Sequence, residues 1–417
     1  MGPRRERPVT PSAAPPFGPR RFVFPALLVA VFTVSAGYGL VLPQIPSLVR
    51  GAPGGHIDDV AFHAGGLTGL YMLAVAVFAP LWGRLSDRIG RKPVLLAGLV
   101  GFALSMLMFA AARTLAQLYL ERMLSGLFAA AVAPVAAAYV ADLAPTDQWR
   151  AHRLARLNMA AIAGFVLGPI FSAAVAAAGK ITSPLAAPLV ATGALALGAA
   201  ALLARISTAP SAPAGATQLG RSASASSAVV LLGLSFAVAF AVGTFEVGLA
   251  ARSTEANARE LAVMFSVCSL VMFGAQAAVF SPLTRAERTS KLLGPGFLLI
   301  AIALVLAPRV SGFAPALAVV GLLAASAGAT SPVLAYWQSI VSGRRQGSGL
   351  GDQTALASLG QALGSATGGV LLGSRLADPF LIAAAVALTA ALVGALAAPR
   401  LSSAVPSRAP SKASARL

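Results

Sequence analysis

The sequence predicts an all-α integral membrane protein, with twelve transmembrane helices arranged as two parallel, pseudo-symmetric six-helix bundles. Three observations carry this. Of 417 residues, 57% are hydrophobic and 11% charged, with a mean hydropathy of +0.81; the charged fraction is less than half of the roughly 25% found in soluble domains. Apolar runs long enough for a hydrocarbon core of about 30 Å recur from Phe22 to the neighbourhood of Ala398. A stretch unable to span or pack, "STAPSAPAGATQLGRSASASS" at 207–227, divides those runs into six and six. Backbone groups in lipid must be bonded within the structure, which leaves helices or a closed barrel. The runs far exceed the roughly ten alternating residues of a barrel strand, so helices are expected.

Residues 1–21 are basic and proline-rich with no apolar core, which predicts a disordered cytoplasmic lead rather than a signal peptide. The N-terminal bundle, 22–206, carries spans near 22–44, 66–83, 93–112, 116–141, 157–178 and 184–204. After the linker, the C-terminal bundle, 228–398, carries spans near 228–250, 260–281, 291–308, 314–337, 350–373 and 379–398, and 399–417 forms a basic tail. An even count puts both termini on one side. Most of the 31 lysines and arginines fall on that side, among them Arg84, Arg88, Arg91, Lys92, Arg150, Arg153, Arg344 and Arg345. By the positive-inside rule it is the cytoplasm. The formal charge of +18 therefore sets orientation and is not a nucleic-acid footprint. Cys268 is the only cysteine, so no intrachain disulfide is possible.

The halves repeat one another weakly. An offset of 198 lays "GRLSDRIGRKPVLL" (83–96) over "SPLTRAERTSKLLG" (281–294), with Arg285 opposite Asp87. An offset of 200 lays Gly164-x-x-x-Gly168 over Gly364-x-x-x-Gly368. Since six spans return the chain to the same side, the copies enter the membrane in the same sense.

In "GRLSDRIGRKPVLL", Gly83 and Gly90 are expected to let the chain reverse, and Pro93 suits the first turn of the next helix. Asp87 is a lone carboxylate among Arg84, Arg88, Arg91 and Lys92. It is either solvated or pairs with a basic neighbour or a helix N-terminus as a breakable latch. The stretch resembles the loop between helices two and three of the major facilitator superfamily, Gly-x-Leu-x-Asp-Arg-x-Gly-Arg-Lys, at Gly83, Leu85, Asp87, Arg88, Gly90, Arg91 and Lys92. The resemblance implies the major facilitator fold over the whole membrane region. It also implies contact between Asp87 and the start of the eleventh helix, the span containing Gly360, in the outward-facing state.

Three further features bear on function. In "LYLERMLSGLFAAA", Arg122 sits inside span four, where an arginine costs at least about 2.5 kcal/mol unless it snorkels or faces polar surroundings. The stretch resembles the family's span-four motif, whose arginine is implicated in proton transfer; Glu121 points about 100° away round the helix and is not expected simply to pair with it. Gly164, Gly168 and Pro169 resemble the Gly-x-x-x-Gly-Pro core that marks proton-exchanging exporters in this superfamily, although Ser172 and Ala173 replace a later glycine pair. They could equally be a small-residue packing stripe, as Gly360, Gly364 and Gly368 are in span eleven. Glu246 lies in span seven, opposite Leu40 when Gly37 is laid on Gly243. An intramembrane acid is a functional suspect, here for proton coupling or cation recognition, against the alternative of an outer-rim residue in water.

The family's architecture, in which helices one, four, seven and ten line the pathway, makes Tyr38, Gln44, Tyr336, Trp337 and Gln338 candidates for a substrate cavity. His56, His63 and His152 fall in predicted loops without metal-ligand spacing, so no metal or cofactor is expected. The expected partners are a small-molecule substrate, protons and the lipid bilayer, with no nucleic acid and a monomeric chain in a bacterial inner membrane. The expected function is proton-coupled export of small hydrophobic or amphipathic compounds by alternating access. A metabolite importer or uniporter is the alternative, and a non-transporting receptor or scaffold the reading from another class.

Overall fold

The computed structural model describes residues 22–41, 45, 48–49, 60–178, 186–206, 225–251, 258–279, 286–343, 346–374 and 378–404. Among them there are twelve long helices and no strand. The first six are α1 (Val23–Val41), α2 (Val60–Ile89), α3 (Arg91–Ala111), α4 (Leu115–Asp142), α5 (Asp147–Ala178) and α6 (Ala186–Arg205). The second six are α7 (Ala225–Ala251), α8 (Ala258–Val279), α9 (Leu293–Leu306), α10 (Phe313–Val341), α11 (Gln346–Ser374) and α12 (Pro379–Ala404), with a 3-10 stretch, Ala286–Leu292, leading into α9.

Nine of these, among the described residues, are long and apolar enough to cross a membrane; α5, α8 and α11 are not among them. The helix α5 opens on Asp147, Arg150, Arg153 and Arg156, α8 opens on Arg259 and Glu260, and α11 is rich in Gly, Ser, Gln and Thr. The helix α11 packs along both α7 and α2, and α5 packs along α1.

The α2–α3 reversal is a single residue, Gly90, at φ 96° and ψ 163°, a region that L-residues avoid. Gly83 makes no turn: it lies inside α2. Span four breaks at 130–132, because Pro134 at the start of its second segment has no N–H to continue the ladder, and the turn is closed by Ala131 and Val132 donating to the carbonyls of Phe128 and Ala129. His63 and His152 lie within α2 and α5 rather than in loops, since both helices begin several residues before their apolar runs do.

Close helix pairs rest on glycines. A Cβ on Gly164 would strike the Phe32 carbonyl, one on Gly39 the Phe165 carbonyl, and one on Gly168 would lie 2.5 Å from the Ala36 oxygen. In the second half, Gly360 meets the Phe236 carbonyl, Gly243 the Gln361 carbonyl and Gly364 the Phe240 carbonyl. These contacts match one to one, so Gly164 corresponds to Gly360 and Gly168 to Gly364. This corrects the offset of 200, which is one helical turn too long. It also removes Leu40 as the counterpart of Glu246, since the same register points to position 42, which lies outside the described residues.

Candidate functional site

At one end of the bundle, the α2–α3 junction grips the first turn of α11. The backbone N–H groups of Gly347 and Ser348 donate to the Asp87 carboxylate at 3.0 and 2.8 Å. Free N–H groups at a helix N-terminus are a natural partner for an anion, each charge-assisted bond contributing about 1.5–3 kcal/mol. Arg91 donates to Asp87 at 2.6 Å, to Ser86 Oγ at 2.7 Å and, through Nε, to Asp142 of α4 at 2.7 Å. One guanidinium thus ties α2, α3 and α4 behind the acid that holds α11. Asp142 was not among the residues expected from sequence, although it is the acid at the end of span four on the same side as the loop.

The grip requires backbone to approach backbone. A Cβ on Gly83 would overlap the Gly347 carbonyl, and one on Gly351 would lie 2.6 Å from the Ala79 oxygen. Lys92 donates to the carbonyls of Ala204 and Ile206 at 2.9 and 2.7 Å, capping α6. Arg84 reaches Asp352 at 3.4 Å across the same helix pair, and Arg88 is exposed.

About 24 Å along α2 from Asp87, at 1.5 Å per residue, lies Tyr71. Its ring and that of Phe109 receive the Arg122 guanidinium, 5.5 and 4.9 Å from their centroids. Arg122 donates to Glu121 through Nε at 2.7 Å and Nη2 at 3.0 Å, and both side chains are buried, at 2% and 0% exposure. The expectation that the two would not pair is therefore wrong. The 100° separation applies where the side chains leave the helix, and two long side chains in an apolar surround swing together because neither has water as an alternative. Gly126, one turn on, lets α4 pack against the Tyr71 backbone, where a Cβ would lie 2.6 Å from the Tyr71 oxygen.

Tyr38 of α1 stacks on Tyr71 at 4.8 Å and on Phe165 at 5.8 Å. It is within electrostatic reach of both Arg122 and Glu246. Glu246 is half-buried on α7 and accepts a long hydrogen bond, 3.4 Å, from Gln361 of α11. Tyr38, Glu121, Arg122 and Glu246 therefore come together at the end opposite the Asp87 grip. Tyr336, Trp337 and Gln338 do not join them. Tyr336 and Trp337 are fully buried, Trp337 donates to Thr289 at 3.1 Å, and Gln338 donates to the Gly349 carbonyl at 3.3 Å, beside the start of α11. Gln44 lies outside the described residues, as does Arg285. Gly368 is buried on α11, and Pro169 lies within α5. Among the described residues, no three of His, Cys, Asp and Glu gather as a metal would need.

Two six-helix halves clasped at one end and carrying buried charge at the other form a recognisable constellation, and residues 27–308 match the family profile of the Major Facilitator Superfamily. The chain belongs to the major facilitator superfamily. The tetracycline resistance protein, class B, of Escherichia coli is 40% identical over 144 residues, which are 34% of this chain and 35% of that protein. Other tetracycline resistance relatives are likewise matched over about a third of their length. Multidrug resistance protein 2 of Bacillus subtilis (strain 168) is 26% identical over 384 residues, 87% of this chain and 92% of that protein. Among solved structures, the human organic anion transporter MFSD10 (TETRAN) superposes with a TM-score of 0.72 at 18% identity, covering 90% of this chain and 99% of that one. That likeness confirms the superfamily fold.

Proposed function

We propose that this superfamily member is a proton-coupled secondary transporter that exports small hydrophobic or amphipathic compounds by alternating access. The observation that carries the reading is the gathering of a closed ion pair, Glu121–Arg122, and an acid without a cationic partner among the described residues, Glu246, around the aromatic wall of Tyr38 and Tyr71 between the two halves. In an apolar region Glu246 can take up and release a proton, and Arg122 can respond to its charge. Asp87, Arg91 and Asp142 serve as the latch that closes the inner mouth, and its release accompanies rocking of the bundles 22–206 and 228–398. The glycine contacts of Gly164, Gly168, Gly360 and Gly364 support helices that slide against each other, and the names of the tetracycline and multidrug resistance relatives support export. Both termini, the linker 207–227 and the tail 399–417 belong on the cytoplasmic side of a bacterial inner membrane, and the monomer is the working unit.

The test is tetracycline uptake by proteoliposomes under an imposed pH gradient. An acidic lumen is expected to drive accumulation, and Glu246→Gln to abolish it. Uptake indifferent to the gradient, or running with the protons, would overturn export by antiport.

A further inference from the structure

The matched contacts between halves single out one position. Phe165 and Gln361 occupy the same backbone site, each presenting its carbonyl to a glycine of the facing helix, Gly39 or Gly243. In the first half the side chain at that site is a phenyl that stacks on Tyr38. In the second it is an amide that donates to Glu246. The α7–α11 interface is fastened on both sides of this site: Thr244 donates to the Gly364 carbonyl at 3.1 Å, and Ser365 donates to the Gly243 carbonyl at 3.4 Å. The Gln361–Glu246 hydrogen bond therefore lies within the packed α7–α11 interface and spans the two helices. The same α11 begins with the two N–H groups that hold Asp87, and Ser348 lies about 20 Å from Gln361 along the helix.

We infer that Gln361 is a positioning residue for Glu246, holding its charged carboxylate toward Tyr38 and tying its protonation to the seating of α11 on Asp87. This rests on the reading of Glu246 as the coupling acid. An amide N–H favours the charged carboxylate over the neutral acid, so protonation weakens this one tie between α7 and α11 and shifts the balance toward release of α11. Among the described residues, the other titratable groups near Glu246 are Tyr38 from α1 and Cys268 from α8. Asp378, at the head of α12, is engaged by the Phe380 N–H at 2.9 Å. The remaining titratable residues of α10 and α12, Tyr336 and Arg400, lie toward the far ends of those helices.

The experiment compares wild type, Gln361→Met and Glu246→Gln as full-length protein. Methionine keeps the length of the side chain and removes the donor. Tetracycline transport is measured across pH in proteoliposomes, and the carboxyl band that Glu246→Gln removes is followed by infrared titration in detergent. Gln361→Met is expected to leave KM nearly unchanged and to move both the transport profile and the band by about one pH unit toward alkaline values. A band and a profile that coincide with wild type, while Glu246→Gln still abolishes transport, overturn the role of Gln361 alone. A Glu246→Gln protein that transports with the wild-type profile overturns instead the reading of Glu246. The band is read on folded protein without any substrate, so the hydrogen bond is judged even if tetracycline is not carried.

Discussion

The two halves of the chain share a skeleton and differ in chemistry. Gly126 meets the Tyr71 backbone in the first half just as Gly328 meets the Met272 backbone in the second. By that correspondence Glu121 and Arg122 stand where the second half has Leu323 and Ala324, both buried. Conversely, Gln361 stands where the first half has Phe165, and the position that the same register assigns opposite Glu246, 42, lies outside the described residues. Backbone contacts thus persisted across the repeat because each needs only a missing Cβ and a free carbonyl. Charged groups did not, because each needs its own partner: an arginine for Glu121, an amide for Glu246, a helix N-terminus for Asp87. The difference teaches that the proposed site is asymmetric by construction, with a charge pair closed on itself in one half and a carboxylate open to titration in the other.

The strongest way to break this comparison is to make the first half resemble the second. Arg122→Ala alone strands Glu121 at zero exposure and is expected to cost about 3–5 kcal/mol, read as a large drop in unfolding temperature in detergent. The double change Glu121→Leu with Arg122→Ala copies Leu323–Ala324, and is expected to recover most of that stability while transport stays absent. Recovery of transport as well would show that the pair serves packing alone.

Next in size is the latch. Asp87→Asn keeps the side chain's shape but removes the charge that faces two N–H groups and Arg91. Losing about 1.5–3 kcal/mol from one conformation is expected to shift the balance of conformations by tenfold or more. Labelling of a cysteine placed at Ser348 should accelerate accordingly in a Cys268→Ala background. Unchanged labelling would remove the latch from the proposed cycle.

A pair of glycine substitutions sharpens the comparison of skeletons. Gly39→Ala and Gly243→Ala thrust a methyl at equivalent carbonyls, those of Phe165 and Gln361. Each is expected to cost about 1–3 kcal/mol, and the two costs should agree in thermal unfolding. A large inequality would mean that the two interfaces are not equivalent, and with it the assignment of Gln361 to the site of Phe165 would fall.

What the sequence made legible follows the same division. The fold was readable because apolar length and loop charge are additive over many residues. Asp87 was readable because it is one of seven positions that match at fixed spacing across one tight junction. The register between halves was misjudged because glycines recur every four residues at 360, 364 and 368, so that an error of one turn still matches glycine with glycine. The Glu121–Arg122 pair was misjudged because helical geometry counts where a side chain starts and not how far it reaches. Asp142 and Gln361 escaped notice because their significance lies in what faces them, Arg91 and Glu246, about 51 and 115 residues away in sequence. A polar residue inside a small-residue stripe, as Gln361 is beside Gly360, was the one signal available for the latter.

The smallest effect is expected at Arg84–Asp352, and its smallness is informative. This ion pair bridges the same two helices as the Asp87 grip, yet its partners are 3.4 Å apart and their side chains 57% and 32% exposed. Water competes for both charges, and two long side chains must be ordered to form one contact, so the pair is expected to contribute under about 1 kcal/mol. Arg84→Ala should therefore leave the labelling rate at Ser348 close to wild type, and the small residual difference should vanish as salt is raised. Asp87→Asn should keep its effect in the same salt series, because the groups that hold Asp87 are backbone N–H groups fixed in the first turn of α11 and an arginine that is itself mostly buried. If the two substitutions instead behaved alike and faded together with salt, the grip on α11 would be a diffuse attraction between charged surfaces, and the anion seat at its N-terminus would contribute nothing of its own.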